Sequence, residues 1–290
     1  MAKSNLNYAT TALITIIFYP ISVFTIENTS GMEEKDIFLT VGNIYLNKGN
    51  YDVAITSFSK AIDLGAGTVA YNYRGLAFFY KKDYDNAVDD FTEAIRLNPE
   101  EAATYNNRGR VFTEKKDYDR AITDFNTSIR LYPNRADAYN NRGLAFSKKN
   151  DRKRAFADYN TAIRLDSSNA TAYYNRGNEY YFTNDINGAI ADYSEAIRLN
   201  PNDAKSYCNR GVAYASIGNE NKAIADYTKA IQLNPDLAGA YASRSNSYLT
   251  KKDFSKAIAD ITDAIRLDPN NTKYQELLDR AKRDRERHSL

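Results

Sequence analysis

Residues 102–135 read AATYNNRGRVFTEKKDYDRAITDFNTSIRLYPNR, and the whole chain is organised around this stretch. Apolar residues recur at the spacing of one helix face in each half, as Tyr105, Gly109 and Phe112, then Tyr118, Ala121, Ile122, Phe125 and Ile129. Asp117 stands where it can cap the second helix, and Pro133 cannot continue that helix because proline lacks the amide donor. The stretch therefore predicts a helix–turn–helix hairpin of 34 residues.

The hairpin recurs seven times along the chain. The small residue of its first helix recurs as Gly42, Gly75, Gly109, Gly143, Gly177, Gly211 and Ser245. The second helix repeats an alanine and, four residues later, an aromatic residue or isoleucine: Ala54, Ala87, Ala121, Ala155, Ala189, Ala223 and Ala257, then Phe58, Phe91, Phe125, Tyr159, Tyr193, Tyr227 and Ile261. The predicted repeats are 35–67, 68–101, 102–135, 136–169, 170–203, 204–237 and 238–271. The small residues are expected to let the two helices approach closely, since bulkier ones would overpack the hairpin.

An aromatic residue, a glycine, an alanine, a second aromatic residue and a proline, in this order and at a fixed period, resemble the tetratricopeptide repeat (TPR). The resemblance covers residues 35–271 and implies an all-α fold, a right-handed superhelical solenoid of helix–turn–helix repeats. Residues 272–290 are expected to close it as a capping helix whose charged end, 280–287, frays into solvent. The apolar stripe of this helix consists of Tyr274, Leu277, Leu278 and Ala281.

Charge and composition exclude several classes of function. Residues 31–271 carry 32 basic and 32 acidic residues, so the repeats lack the basic footprint of a nucleic-acid-binding protein. Cys208 and His288 are the only cysteine and histidine, so no disulfide, His/Cys metal site or Cys/His nucleophile pair is expected. No phosphate-binding glycine loop or hydrolase motif occurs. We therefore expect a protein without catalytic residues, metal or cofactor.

The first 30 residues differ from the repeats, and residues 1–30 are predicted to form a hydrophobic leader. Ser4 to Ile26 are 23 residues without a charge, and residues 8–26 are long enough for a membrane span of about 20 residues. The alternatives are a signal peptide, a retained anchor, or a leader packed on the first repeat. A clean small-x-small cleavage site is missing, which favours the anchor. Lys3 precedes the apolar run and acidic residues follow it, which predicts repeats on the extracytoplasmic side.

Six of the seven repeats carry an arginine before the small residue and an aspartate in the second helix. The arginines are Arg74, Arg108, Arg142, Arg176, Arg210 and Arg244, and the aspartates are Asp90, Asp124, Asp158, Asp192, Asp226 and Asp260. Repeat one lacks both, since Val41 and Ser57 occupy the two positions. Because the arginine and the aspartate occur together in six repeats and are both missing from the first, we predict six structural ion pairs between the helices. A row of arginines that bind ligand carboxylates is the alternative, and helical phase, which turns the arginines toward the partner helix, favours the ion pairs.

The opposite face of the first helix is expected to be exposed, and the resemblance implies that it lines a concave groove. Asparagine recurs there in four consecutive repeats, as Asn107, Asn141, Asn175 and Asn209. Because an amide has donors and an acceptor, this row is predicted to hold a peptide backbone of any sequence. It resembles the asparagine ladder of peptide-binding TPR domains, including the one attached to the O-linked N-acetylglucosamine transferase. The alternative is that the asparagines only record a recent duplication.

Apolar and aromatic residues interrupt this row in two repeats. Repeat two carries Val69, Tyr73, Leu76 and Tyr80, and repeat five carries Tyr181 and Phe182. Apolar side chains on an exposed face call for a partner. The groove candidates beside the asparagines are therefore Tyr73, Leu76, Tyr80, Arg110, Asn178, Tyr181 and Phe182. The alternative is that the first repeat or the N-terminal segment covers Tyr73 and Tyr80.

The sequence as a whole predicts a non-catalytic scaffold that binds an extended segment of a partner protein and is membrane-tethered or exported. A soluble cytosolic TPR adaptor with a disordered leader is the second hypothesis, and a catalytic groove is the third. The carboxylate clamp that grips chaperone C termini needs lysine and arginine beside the groove asparagine. Lys205 is the only lysine at its position, and Asn209 stands where the clamp has arginine, so chaperone-tail binding is not expected.

Overall fold

The computed structural model describes residues 32–288, and within them the chain forms fifteen α-helices and no strand. These residues divide into two compact units, the first ending at Ala66 and the second beginning at Gly67. The leader predicted for residues 1–30, with its apolar segment 8–26, lies outside the described residues. None of the described helices is both long and apolar enough to cross a membrane.

The first unit contains one hairpin, formed by α1 (Glu34–Asn47) and α2 (Tyr51–Asp63). Asn50 begins the second helix, since its side-chain oxygen accepts a hydrogen bond from the amide of Val53 at 3.3 Å. Phe58 is completely buried and packs against the backbone of Gly42. The first repeat therefore has the same glycine–aromatic contact as the repeats that follow it.

The second unit contains six further hairpins and a single last helix. Its helices are α3 (Gly67–Tyr80), α4 (Tyr84–Leu97), α5 (Ala102–Glu114), α6 (Tyr118–Leu131), α7 (Ala136–Lys148), α8 (Arg152–Leu165), α9 (Ala170–Phe182), α10 (Ile186–Leu199), α11 (Ala204–Ser216), α12 (Glu220–Leu233), α13 (Ala238–Thr250), α14 (Phe254–Leu267) and α15 (Thr272–His288). Odd-numbered helices up to α13 are the first helices of hairpins, and even-numbered helices are the second.

The turn inside each hairpin has one backbone form. One residue in it adopts a positive φ angle between 60° and 75°, and these residues are Gly49, Lys82, Lys116, Asn150, Asn184, Gly218 and Lys252. This residue reverses the chain, and the next one caps the second helix. In α6, Asp117 Oδ1 accepts a hydrogen bond from the amide of Arg120 at 3.2 Å, which confirms the cap predicted from the sequence.

In the second unit, the hairpins stack in chain order. The second helix of each hairpin packs on the first helix of the next, as α6 does on α7. First helices also contact each other directly, in the pairs α3 with α5, α5 with α7, α7 with α9, α9 with α11 and α11 with α13. Since this contact brings the first helices closest together, they form the concave side of the stack. The architecture is the all-α solenoid expected from the sequence.

The last helix covers the open end of the stack. Tyr274, Leu277 and Leu278 pack against the buried cluster of Ala242, Ile261 and Ala264 in the final hairpin. Ala281 is fully buried beside Leu249 and Ala257. This is the expected capping helix. Fraying of residues 280–287 is wrong, because the helix continues to His288, whose ring centroid lies 5.2 Å from that of Phe254.

Candidate functional site

Four positions of each first helix form a row on the concave side, and we call this row the inner row. Its members in five hairpins are Val69, Tyr73, Leu76 and Tyr80; Ala103, Asn107, Arg110 and Glu114; Asp137, Asn141, Leu144 and Lys148; Thr171, Asn175, Asn178 and Phe182; and Lys205, Asn209, Val212 and Ser216. Asn175 is the single buried member of this set, and all others are partly or fully exposed. The row therefore forms the solvent-facing surface of the first helices.

The inner-row asparagines bind the preceding hairpin. In three of them Nδ2 donates to the residue 35 positions earlier: Asn107 to Asn72 at 3.2 Å, Asn141 to Asn106 at 3.1 Å and Asn175 to Asn140 at 3.0 Å. Each amide keeps a second N–H group and at least one lone pair on its oxygen, since Asn141 Oδ1 accepts one bond, from Asn140 Nδ2 at 3.4 Å. A bond to a ligand is therefore compatible with this ladder. Asn175 is an exception, since it is only 8% exposed, and the expectation that it lines an open groove is wrong.

The fourth asparagine joins a different cluster. Asn209 Nδ2 donates to Tyr174 Oη at 3.1 Å and to Asn178 Oδ1 at 2.9 Å. Asn178 Oδ1 also accepts a hydrogen bond from the hydroxyl of Tyr193 at 2.8 Å. Asn178 and Asn209, both named as groove candidates, therefore lie together at the junction of α9 and α11. Tyr181 is partly buried against the core cluster of Ala189, Tyr193 and Ala213.

The apolar members of the inner row are exposed at both predicted places. In α3, 50% of the surface of Val69 and 46% of that of Tyr80 is exposed, and Leu76 packs partly against the cluster of Phe91 and Val111. In α9, Phe182 is 67% exposed. Two exposed apolar sites therefore flank the asparagine ladder.

Two arginine side chains lie over aromatic rings of the first helices. The guanidinium carbon of Arg110 lies 4.7 Å from the ring centroid of Phe79, and that of Arg152 lies 5.0 Å from the ring centroid of Phe182. Such cation–π contacts fix an otherwise flexible arginine side chain above an aromatic surface.

The structure brings together all six arginine–aspartate pairs named from the sequence. In each, Nε and Nη2 of the arginine donate to the two carboxylate oxygens at 2.7–2.9 Å, in the pairs Arg74–Asp90, Arg108–Asp124, Arg142–Asp158, Arg176–Asp192, Arg210–Asp226 and Arg244–Asp260. These hydrogen bonds raise the pKa of Arg176 above its usual value. Each aspartate side chain is at most 9% exposed, so the pairs belong to the packed interior of each hairpin.

Five of these arginines also bind the preceding hairpin, which the sequence did not predict. Their Nη1 atoms donate at 2.6–3.0 Å to the residue 16 positions earlier: Arg108 to Thr92, Arg142 to Asn126, Arg176 to Asn160, Arg210 to Ser194 and Arg244 to Thr228. Two rings of the same helix flank four of these five guanidinium groups, as Tyr139 and Phe146 flank Arg142 at 5.5 and 5.8 Å, and one ring, that of Tyr241, lies near Arg244. Because each guanidinium has several partners within the protein, these arginines stabilise the fold.

Sequence reasoning missed a buried carboxylate between the fourth and fifth hairpins. Glu179 is 2% exposed, accepts a hydrogen bond from Arg152 Nη1 at 2.8 Å, and accepts another from the hydroxyl of Ser147. Ala145 and Ala213 occupy the matching positions of the neighbouring hairpins. A carboxylate at a small-residue position was the sequence signal that could have found it.

The lone cysteine is chemically quiet. Cys208 is half-buried on α11, and burial raises the pKa of its thiol to about 11, so it stays protonated at neutral pH. Among the described residues, no three histidine, cysteine, aspartate or glutamate side chains lie close enough together to hold a metal ion.

Comparison with protein-family models identifies the repeats. A model described as TPR repeat matches residues 109–150, 145–181 and 177–218. Two models described as Tetratricopeptide repeat match residues 68–101 and 204–237, and residues 36–64 and 238–271. Together these matches cover most of the chain. None of the curated proteins compared matches the sequence.

Solved structures share the fold. The APC/C heterotetramer Cut9–Hcn1 contains a chain with a TM-score of 0.74 and 18% identity, over 94% of this chain and 51% of that one. This chain thus spans about half the length of that relative. YrrB, a TPR protein with an unusual peptide-binding site, has a TM-score of 0.54 and 24% identity over 68% of this chain and 99% of its own. MamA has a TM-score of 0.51 and 27% identity over 57% and 97%.

Proposed function

The chain belongs to the tetratricopeptide repeat family, and from that premise we propose that it is a non-catalytic scaffold that binds a segment of a partner protein along the inner row. Proteins of this fold present first helices side by side on a concave surface, and repeat solenoids use such surfaces for binding. YrrB is described as having a peptide-binding site. The likeness to YrrB is one of fold, so peptide binding enters here as part of the proposal.

The exposure of Val69 and Tyr80 carries the proposal. Their exposed fractions of 50% and 46% place apolar surface at the start of a row that otherwise presents amides, hydroxyl groups and charges. An apolar side chain of a ligand would bury this surface, and buried aromatic and aliphatic contacts dominate the energy of most interfaces. Beyond it, Asn107 and Asn141 would bind the ligand backbone with the N–H group and the oxygen lone pairs that their internal hydrogen bonds leave unused.

Affinity capture from the source cells tests the proposal with full-length protein. Val69→Thr with Tyr80→Ser removes the apolar site and introduces residues that hairpins five and six hold at the same positions, as Thr171 and Ser216. The variant should therefore keep the fold, which circular dichroism checks. We expect it to lose the partners that the wild-type protein captures.

Tyr132→Asn is the matched control. Tyr132 is 55% exposed at the end of α6, away from the inner row, and Asn98 and Asn200 occupy its place in other hairpins. The control should capture the same partners as the wild-type protein. If the Val69/Tyr80 variant also captures them all, or if the wild-type protein captures none, binding along the inner row is wrong.

We further propose that residues 1–30 tether the repeats to a membrane or export them. The 23 uncharged residues from Ser4 to Ile26, between Lys3 and the acidic residues that follow, support this. Fractionation of the source cells with alkaline extraction, followed by N-terminal sequencing, would test it. Recovery of an intact N-terminus in the soluble cytosol would overturn it in favour of a cytosolic adaptor.

A further inference from the structure

One turn of the solenoid carries far more positive charge than the others. Residues 148–154, KKNDRKR, join α7 to α8 and hold five basic residues against one acidic residue. We call this segment the basic turn. The matching turns 80–86, 114–120 and 216–222 have no net charge, turn 182–188 has one acidic residue, and turn 250–256 has an excess of two basic residues. The repeat pattern therefore does not account for the basic turn.

Three of the five basic residues are neutralised within the fold. Lys149 pairs with Asp119, Arg154 with Asp151 at 2.6 Å, and Arg152 with the buried Glu179 at 2.8 Å, in the ion pairs that the structure shows for this turn. The remaining two are Lys148 and Lys153, which are exposed and make no ion pair within the described residues.

Lys153 occupies a position at which the two preceding hairpins have an aspartate that forms an ion pair. Lys115 pairs with Asp85, and Lys149 pairs with Asp119, so each of these turns is tied to the one before it. At the next junction, Lys153 stands where Asp85 and Asp119 stand, and Thr183 stands where the lysines stand. The link between the turns is lost there, and an exposed positive charge replaces an exposed negative one.

Phe182 supplies an apolar surface beside these charges. Glu114 and Lys148 hold the matching position in the two hairpins before it, whereas Phe182 presents an aromatic ring that is 67% exposed. The guanidinium of Arg152 lies 5.0 Å from its centroid, which places the ring against the basic turn. The ion pair with Glu179 also holds Arg152 in place, so the ring and the turn are fixed relative to each other.

We propose that Phe182, Lys148 and Lys153 form a docking site for an acidic protein segment that carries an apolar side chain between its carboxylates. The apolar side chain packs on the ring of Phe182, and the carboxylates pair with the two lysines. This inference rests on the proposed scaffold function. It specifies the chemistry of a ligand that binds at the fourth and fifth hairpins, away from Val69 and Tyr80.

Charge complementarity favours a protein segment over a phosphate-bearing partner. A nucleic acid or an anionic membrane is bound by a larger set of basic residues, about four to ten. Here two unpaired lysines lie within a repeat region that has equal numbers of basic and acidic residues. An exposed aromatic ring beside a basic turn suits a peptide side chain flanked by carboxylates.

Fluorescence anisotropy with full-length protein tests the site. The probe is a labelled peptide with one phenylalanine between two Glu-Asp-Glu triplets. Its controls are the same peptide with alanine for phenylalanine and the same peptide with lysine for every acidic residue. We expect the probe to bind at least about tenfold more tightly than either control peptide. Raising the salt from about 50 to about 200 mM should weaken this binding several-fold, since the lysines act electrostatically.

The test variant is Lys153→Asp with Phe182→Ser, which copies Asp119 and Ser216 from the matching positions of other hairpins and should therefore fold. It should bind the probe at least about tenfold more weakly. The matched control, Lys229→Asp with Tyr132→Asn, makes the same charge change and removes an exposed aromatic ring elsewhere, copying Asp263 and Asn98. It should bind as the wild-type protein does.

Three outcomes would overturn the docking site. They are equal weakening by both variants, equal binding of the alanine peptide and the probe, and tighter binding of polythymidylate or phosphatidylserine vesicles than of the probe through the same residues. The capture experiment with the Val69/Tyr80 variant tests a different part of the inner row. A protein that captures no partner but binds the probe as described would lack the proposed partner along the inner row and still have this site.

Discussion

Gly109 lies directly against the ring of Phe125. A Cβ atom built on the glycine would come within 2.7 Å of Phe125 Cε1, closer than non-bonded carbon atoms approach each other. Five other hairpins have the same arrangement, and the seventh has Ser245 and Ile261 in its place. The serine hydroxyl donates to the backbone oxygen of Ala257 at 2.8 Å, so the larger residue is accommodated where the ring is absent.

Gly109→Ser alone should lower the free energy of unfolding by about 1–3 kcal/mol, because the added atoms overlap a fully buried ring. Gly109→Ser with Phe125→Ile copies the seventh hairpin and should recover part of this loss. Urea titrations of the two variants and the wild-type protein measure both effects. A double variant less stable than Gly109→Ser would show that the contact is not what restricts this position.

Removing one partner of an interior ion pair should be worse than removing both. Asp158→Leu leaves the guanidinium of Arg142 without its carboxylate, and we expect a loss of about 2–4 kcal/mol. Arg142→Met with Asp158→Leu should lose less than Asp158→Leu alone, because no charge is left unpaired. A double-mutant cycle of unfolding free energies measures the coupling, and purely additive effects would contradict the pairing.

Acid should selectively weaken the aspartate caps. The hydrogen bond from the amide of Arg120, followed by the one from its side chain, lowers the pKa of Asp117. Because the folded pKa is the lower one, the stabilisation is present above the unfolded value of about 3.9 and disappears as the pH falls through the folded pKa. Asp117→Asn keeps a capping oxygen without the charge. Urea midpoints should therefore differ between wild type and variant at neutral pH and converge at low pH; a difference independent of pH would refute this.

The ladder between first helices should contribute to stability at each junction. Asn175→Ala removes the donor to Asn140 Oδ1, a 3.0 Å bond between two buried residues, and should cost about 1–2 kcal/mol. Asn246→Ala, at an exposed inner-row position in α13, should change the stability by less than about 0.5 kcal/mol. For Asn175→Ala, amide hydrogen exchange should become faster in α7 and α9, where the stability is lost. Equal effects of the two substitutions would remove any structural role from Asn175.

The thiol of Cys208 should react slowly with alkylating reagents in the native protein. Its pKa of about 11 leaves little thiolate at pH 8, whereas the unfolded chain has an ordinary thiol pKa of about 8.5. The native labelling rate should rise steeply with pH and become at least about a hundredfold faster in denaturing urea at pH 8. Mass spectrometry of iodoacetamide-treated protein measures this rate. Rapid labelling at pH 8 without urea would contradict the burial of Cys208.

Periodicity predicted the fold because each repeat carries similar residues at the positions that make the contacts. The Arg142–Asp158 pair followed from the joint absence of both residues in one repeat, and the cap at Asp117 followed from local backbone chemistry. These contacts lie within one hairpin, at fixed separations along the chain. A sequence that repeats the ion pair six times and the cap position seven times leaves little freedom for another arrangement.

Contacts between hairpins were harder to predict, because the sequence gives no angle between successive units. Helical phase placed Asn175 on the open face, and the close approach of α7 and α9 buries it. Tyr181 was assigned to the groove together with Phe182, but adjacent helix positions point about 100° apart, and Tyr181 is partly buried against the core cluster of Ala189, Tyr193 and Ala213. The partner of Arg152, the buried Glu179, could be found only by comparing matching positions.

The ladder bonds that link neighbouring hairpins also permit changes in copy number. Loss of residues 102–135 in one step would place Arg142 opposite Thr92, which Arg108 now uses, and Asn141 opposite Asn72, which Asn107 now uses. The shortened protein would keep a complete set of bonds across the new junction. Loss of residues 170–203 would instead leave Arg152 without Glu179, because Ala213 would take the place of that carboxylate, and would break an ion pair that no other hairpin replaces.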